Sequence, residues 1–118
     1  MECGVADLGP SASATDISAM LAQLSADQSV HGIILQTPLP PAAGLAGLAG
    51  AIDPAKDVDG ANPLSLGRLA VGLPAFAPAT AAAVIALLDH HQVGICGARV
   101  VVVGRSAVVG KPGPTMLR

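Results

Sequence analysis

Twice along this chain a helical apolar stripe gives way, across a short break, to a run of aliphatic β-formers. "TDISAMLAQL" (15–24) sets Ile17, Met20, Leu21 and Leu24 at i, i+3, i+4 and i+7, with Thr15 or Asp16 as the expected N-cap, and "SVHGIILQ" (29–36) follows it. "TAAAVIALLDHH" (80–91) puts Ala83, Val84, Leu87 and Leu88 on one face behind a capping Thr80. A link through Gly94 and Gly97 then leads to "ARVVVVG" (98–104), which reads as a fully buried parallel strand. Helix followed by strand is the order of an α/β unit with a parallel sheet. Half the residues are hydrophobic, yet Phe76 is the single aromatic, so the core must be filled by many small side chains. That favours close packing of helix on sheet. The expected fold is α/β: three-layer parallel sheets with flanking helices.

Between these units the chain is punctuated. "AAGLAGLAGAI" (42–52) is a weak helix, since its three glycines each cost about 1 kcal/mol relative to alanine. "DPAKDVDGANP" (53–63) is irregular, with two prolines, three acids and a glycine. A domain boundary is expected near residues 92–97.

Net charge is −2 and the six Lys/Arg are scattered, so nothing attracts a phosphate backbone, and no aromatics stand ready to stack bases. Nucleic acid is not an expected partner. Nor is a membrane: no apolar stretch reaches the roughly 18 residues a span requires. Cys3 and Cys96 lie far apart and outside any metal-ligand spacing, which fits a reducing, cytoplasmic compartment.

Chemistry can sit in three places. In "HGIILQTPLPP" (31–41) an amide, Gln36, closes an apolar run, and three prolines follow within five residues. Ligands of open α/β sheets bind beyond the carboxyl ends of strands, where an amide can donate and accept at once. Its bland alternative is a glutamine satisfying its own turn. In the acidic loop, Asp57 and Asp59 flank Val58, so an extended backbone would project both carboxylates to one side, suited to a polar heterocycle. The alternative is a solvated loop, with Lys56 as a surface partner. In "VVVVGRSAVVGKP" a strand ends in a glycine turn that opens a helix, where free N–H groups can hold a pyrophosphate. The spacing is not GxGxxG, because Ser106 stands where a second glycine would be. Arg105 can pair with a ribose 2′-phosphate or be a solvated turn residue. His31, His90 and His91 have no partners at readable spacing, and the pair at 90–91 is expected to end a helix.

In this order, "HGIILQTPLP", "DPAKDVDGANPLSLGRL", "FAPATAAAVIALL" and "VVVGRSAVVGKP" resemble the methylenetetrahydrofolate dehydrogenase/cyclohydrolase family. The resemblance implies oxidation of 5,10-methylenetetrahydrofolate to 5,10-methenyltetrahydrofolate with NADP (NAD is the less favoured cofactor), then hydrolysis to 10-formyltetrahydrofolate in one-carbon metabolism and purine biosynthesis. It implies that Gln36 lies beside a catalytic lysine in the folate cleft, that Pro38 and Pro40 fix the turn there, and that Asp59 grips the pterin. Gly104, Arg105, Ser106 and Gly110 match the cofactor loop, and Thr80 a residue near the nicotinamide. Residues 1–92 would be part of the tetrahydrofolate-binding catalytic domain. Residues 93–118 would begin a Rossmann-type nucleotide-binding domain of a homodimeric parent. Thr37, Ala79, Ala81 and Ala83 depart from the family pattern. The Tyr-x-x-x-Lys stretch that carries the catalytic lysine is expected before residue 1, so the chain is read as an internal fragment, inactive by itself. The alternative is a non-catalytic remnant acting at most as a binding or subunit-interaction module.

Overall fold

The structure, a computed structural model, describes residues 2–40, 44–104 and 106. Four helices follow one another: α1 (Ala14–Ala26), α2 (Leu45–Ala49), α3 (Pro63–Ala70) and α4 (Ala79–His90). No helix among the described residues is long and apolar enough to cross a membrane.

Helix α1 forms where the apolar spacing places it, and it buries Ile17 and Leu21. Its start lies earlier than expected. Ser13 is the N-cap, and its hydroxyl accepts from the Asp16 N–H at 3.1 Å while the Asp16 carboxylate accepts from the Ser13 N–H at 3.0 Å. Two of the helix's orphan donors are thereby satisfied reciprocally. The Ser13 hydroxyl, then its N–H, hold the Asp16 carboxyl below its ordinary value of 3.8. A depressed carboxyl stabilises the fold fully above the ordinary value, and this is lost as pH falls through the lowered one. On acid titration, the protection factors of the amides in the first turn of α1 should therefore fall below about pH 4. Asp16→Asn should abolish that pH dependence, and an unchanged profile would refute the box.

The apolar core gathers Ile17 and Leu21 of α1, Ile33, Leu48 of α2, and Ile52, with Leu24, Val30, Leu35 and Leu39 packed around it. Each such side chain, once removed from water, contributes about 1.5–3 kcal/mol. The 29–36 run is extended but half-buried: Ile33 is buried, Ile34 exposed and Leu35 intermediate. In place of a ladder it makes one parallel bridge, Ile33 to Asp57.

Helix α3, unforeseen from its apolar pattern, begins at an Asn-Pro pair. The Asn62 side-chain oxygen accepts from the Leu64 N–H at 2.7 Å, and Pro63 occupies the first turn, where its missing N–H is no loss. It ends as Gly72, at φ 77°, turns back: the Gly72 N–H reaches the Leu69 carbonyl and the Leu73 N–H the Arg68 carbonyl. That pairing is a Schellman stop. Helix α4 closes in the same way at His90, with Gln92 at φ 55° and the Val93 N–H on the Leu88 carbonyl, so the histidine pair ends a helix as expected.

Three expectations fail here. Thr80 does not cap α4: Pro78 holds that position without a side-chain hydrogen bond, and Thr80 is exposed in the first turn. The buried face of α4 runs through Ala81, with Ile85 and Leu88 half-buried, while Val84 and Leu87 are exposed. The valine run is also not a buried strand, for Val101 and Val103 are 85% and 97% exposed. A parallel strand is buried only when neighbours flank it, and no strand pairs with residues 98–104 among the described residues.

Candidate functional site

The acidic loop is the hub of the described structure. Its first tie is backbone to backbone: the Ile33 N–H donates to the Lys56 carbonyl at 2.7 Å, beside the parallel bridge of Ile33 with Asp57. The chain directions agree, so Gln36 and Asp59 both lie beyond the carboxyl ends of the paired segments. A second tie runs through Asp57. Its side chain is fully buried, and its two oxygens accept from the Ala61 N–H at 3.0 Å and the Asn62 N–H at 2.9 Å. Asn62 is itself buried and donates from Nδ2 to the Ile52 carbonyl at 2.7 Å. The third tie joins the loop to α4, where the Ala79 N–H donates to the Asp59 carbonyl at 3.1 Å.

Gly60 makes this third contact possible. It sits at φ 65°, and an added Cβ would lie 2.4 Å from the Ala77 carbonyl carbon and 2.5 Å from the Pro78 nitrogen. Two backbones touch there with no room between them, and only glycine permits it.

These ties separate the two acids that the alternation treated as equivalent. Asp57 turns inward to organise its own loop, whereas Asp59 is half-exposed and makes its contact to α4 through the main chain. The Asp57 carboxyl is thus spent on the loop's own backbone, whereas the Asp59 tie to α4 leaves its side chain out. The loop is a series of turns beyond residue 57, so alternation does not apply to it.

The sequence-expected residues fall into two groups. Gln36, Pro38, Asp59 and Thr80 stand on three segments that the loop brings together, and all but Asp59 are exposed. The Gln36 Nε2 donates to the Thr37 carbonyl at 3.0 Å, so in this state the amide satisfies its own turn. Gly104 lies apart from that cluster in sequence; it is exposed at φ 152°, and the space a Cβ would take there is open. Ser106 is exposed as well, while Arg105 and Gly110 lie outside the described residues. Cys3 and Cys96 are free and exposed. A shallow groove of about 560 Å³, lined by Asp53, Leu64, Arg68 and Phe76 among others, contains none of the residues singled out for chemistry. The segment ties define the site better than this concavity does.

Lys56 corrects another expectation. It is half-buried, and its ammonium donates to two carbonyls at the end of α1, Ser25 at 2.6 Å and Asp27 at 2.7 Å. It is seated on a helix end, where its charge joins the Ser29 hydroxyl and N–H in holding the Asp27 carboxyl below its ordinary value. Lys56 and Asn62 are site-building residues that spacing did not single out, although Asn62 before Pro63 carried a readable helix-start signal.

The described residues form four helices and one parallel bridge, with a loop that carries an acid just beyond that bridge and a glycine at the end of an aliphatic run. Comparisons with known proteins agree. Residues 1–59 match the family profile "tetrahydrofolate dehydrogenase/cyclohydrolase, catalytic domain", and residues 78–118 match its "NAD(P)-binding domain". The chain belongs to the tetrahydrofolate dehydrogenase/cyclohydrolase family. It is 65% identical over 115 residues to bifunctional protein FolD 1 of Saccharopolyspora erythraea, covering 98% of this chain and 39% of that protein. It is 64% identical to bifunctional protein FolD 1 of Paenarthrobacter aurescens, covering 93% of this chain and 37% of that one. Among solved structures, the bifunctional FolD dehydrogenase/cyclohydrolase of Campylobacter jejuni aligns with a TM-score of 0.85 at 36% identity, over 92% of this chain and 39% of that chain. The Trypanosoma brucei dehydrogenase-cyclohydrolase, solved with NADP and an inhibitor, aligns at 0.83 and 34% identity, over 92% and 37%. The chain thus spans about two fifths of the length of these relatives.

Proposed function

We propose that this chain carries the folate-facing segments and the start of the cofactor loop of a bifunctional enzyme. That enzyme oxidises 5,10-methylenetetrahydrofolate with NADP and hydrolyses the 5,10-methenyl product to 10-formyltetrahydrofolate. The observation that carries this reading is the parallel tie between the Gln36 segment and the acidic loop, whose far end is docked on α4. It gathers an amide, a half-exposed carboxyl and a threonine on three neighbouring segments.

In this reading Asp59 accepts hydrogen bonds from the amino and ring N–H groups of the pterin, which orients the one-carbon unit. Gln36 rotates from the Thr37 carbonyl to the reacting centre, where its amide can hold a proton donor in place. Pro38 shapes the turn beneath it, and Thr80 lines the nicotinamide side. The chemistry supplied by bound NADP is acceptance of the hydride that leaves the methylene carbon with its electron pair. The open, glycine-only turn at Gly104 fits the close approach of a pyrophosphate, with Ser106, Arg105 and Gly110 as its further neighbours. Arg105 favours NADP over NAD through the 2′-phosphate. Hydrolysis follows when water adds to the methenyl carbon with loss of one proton, and the bond from that carbon to N5 then breaks as the hydroxyl proton passes to N5, leaving the formyl group on N10. The same reading makes residues 1–92 part of the catalytic domain and 93–118 the start of the nucleotide domain. It also implies three-layer parallel sheets completed within a homodimeric, cytoplasmic parent that serves purine biosynthesis.

The direct test on this chain is binding. Calorimetric titration with 5-formyltetrahydrofolate, a stable reduced folate, should show a saturable heat. Asp59→Ala should weaken it roughly tenfold to a hundredfold, the worth of a hydrogen bond to a charged group. No heat with the unaltered chain, or equal affinity in the variant, would refute the assignment.

A further inference from the structure

Helix α1 ends without a cation of its own: its last turn holds no basic residue, and its C-terminal cap is Asp27. A helix terminus leaves carbonyls unpaired and carries partial negative charge. The cation arrives from about thirty residues downstream, as the Lys56 ammonium donates to the Ser25 and Asp27 carbonyls. The Asp27 carboxyl is otherwise engaged, since it accepts from the Ser29 hydroxyl at 2.7 Å and the Ser29 N–H at 2.8 Å. Ser25 reinforces the junction: its hydroxyl accepts from the Asp53 N–H at 2.9 Å and donates to the Ala51 carbonyl at 3.3 Å. The main chain of Lys56 faces the opposite partner. Its carbonyl receives the Ile33 N–H, three residues before Gln36, and the next residue is the inward-turned Asp57.

We propose that Lys56 is a positioning residue. Anchored at the end of α1, it sets the height at which the Gln36 segment and the Asp59 loop lie against one another. This rests on the folate reading of those two residues and extends it. Lys56 itself touches no ligand, and it acts through the Ile33 N–H bond, which its carbonyl accepts beside a local one from the Val58 N–H. Without the anchor, residues 53–60 remain tied to α3 and α4 through Asp57 and Asp59, yet slide relative to Ile33. The fold survives and the site is misaligned.

The test uses Lys56→Met, which keeps the stem and removes the donor, and Lys56→Arg, which keeps charge and donors. Both are read by amide NMR and by 5-formyltetrahydrofolate titration. Lys56→Met should shift the Ile33 amide, the Gln36 side-chain amide and the Asp59 amide, and weaken folate binding roughly tenfold, the worth of about one hydrogen bond. The Ala61 and Asn62 amides, held by Asp57, should stay in place. Lys56→Arg should restore both the shifts and the affinity. Should the methionine variant not fold, Lys56→Gln, too short to span both carbonyls, gives the same reading. Unmoved Gln36 and Asp59 signals, or shifts spread evenly over the chain and not rescued by arginine, overturn the proposal. If the unaltered chain binds no folate, the functional reading falls, while the amide shifts still decide whether Lys56 sets the register.

Discussion

Gly60→Ala should lower the stability of this chain by about 2–5 kcal/mol, the sum of a left-handed backbone forced on an L-residue and an overpacked contact. The left-handed conformation alone accounts for about 1–2 kcal/mol. The remainder comes from the Ala77 and Pro78 backbone atoms at 2.4–2.6 Å from the new Cβ, which cannot rotate aside as a side chain can. Two other glycines serve as internal controls. Gly72→Ala has the same φ penalty at 77° but meets nothing within 4 Å, so it should cost only the conformational part. Gly32→Ala has no φ penalty and approaches Val58 Cγ1 at 2.8 Å, a flexible methyl that can move. Denaturant midpoints of the three variants should therefore place Gly60→Ala well below the other two. Equal losses at 60 and 72 would mean that the loop does not press on α4 as described. The Ala79 amide reports locally, since its bond to the Asp59 carbonyl should be lost in the Gly60 variant alone.

Asp57→Ala is the second large effect. It leaves the Ala61 and Asn62 N–H groups buried and unpaired, and each such group costs about 1–3 kcal/mol, so the sum is about 2–6 kcal/mol. Net stabilities of whole domains are about 5–15 kcal/mol, so a loss of this size threatens the fold itself. Asp57→Asn retains one acceptor and turns its NH2 toward a donor, so about half the loss should remain. Asp59→Ala, by contrast, should leave the stability within about 0.5 kcal/mol, as expected for a residue tied to α4 through its own carbonyl, which the substitution keeps. A midpoint for Asp57→Ala equal to that of Asp59→Ala would contradict the division of labour between the two acids.

That division marks where sequence reasoning ran out. Both aspartates flank Val58, and in an extended segment they are equivalent; the turns after residue 57 break the symmetry, and nothing in the spacing announces them. The apolar stripe of α1 was legible because polar residues interrupt it. Its cap was misplaced by two or three residues, since Ser13, Thr15 and Asp16 are all competent and Asp16 is used as the box's acid rather than its cap. In α4 residues 81–88 are all apolar, so every face looks like an inner one; Val84 and Leu87 proved to be outside and Ala81 inside. The valine run obeyed the composition of a buried parallel strand, but burial belongs to its neighbours and not to the run. For the site, the family resemblance implies that Gln36 and Asp59 serve one folate cleft, but nothing in the sequence announces the bridge between their segments. Lys56 and Asn62 enforce it by side chains that bond to main-chain atoms, and main-chain partners leave no trace in residue type.

That last property bears on how such a loop can diverge. Every tie of the acidic loop described above ends, on at least one side, on a peptide N–H or carbonyl, among them those of Ile33, Ser25, Asp27, Ile52, Ala61, Asn62 and Ala79. Any amino acid with an amide supplies the same receiving half, so the receiving positions can drift without loss of the joint. The information needed to build it is concentrated in the seven letters "KDVDGAN". A lineage could rewrite the walls of this cleft, and with them its preference among ligands, while inheriting the hinge-pin unchanged.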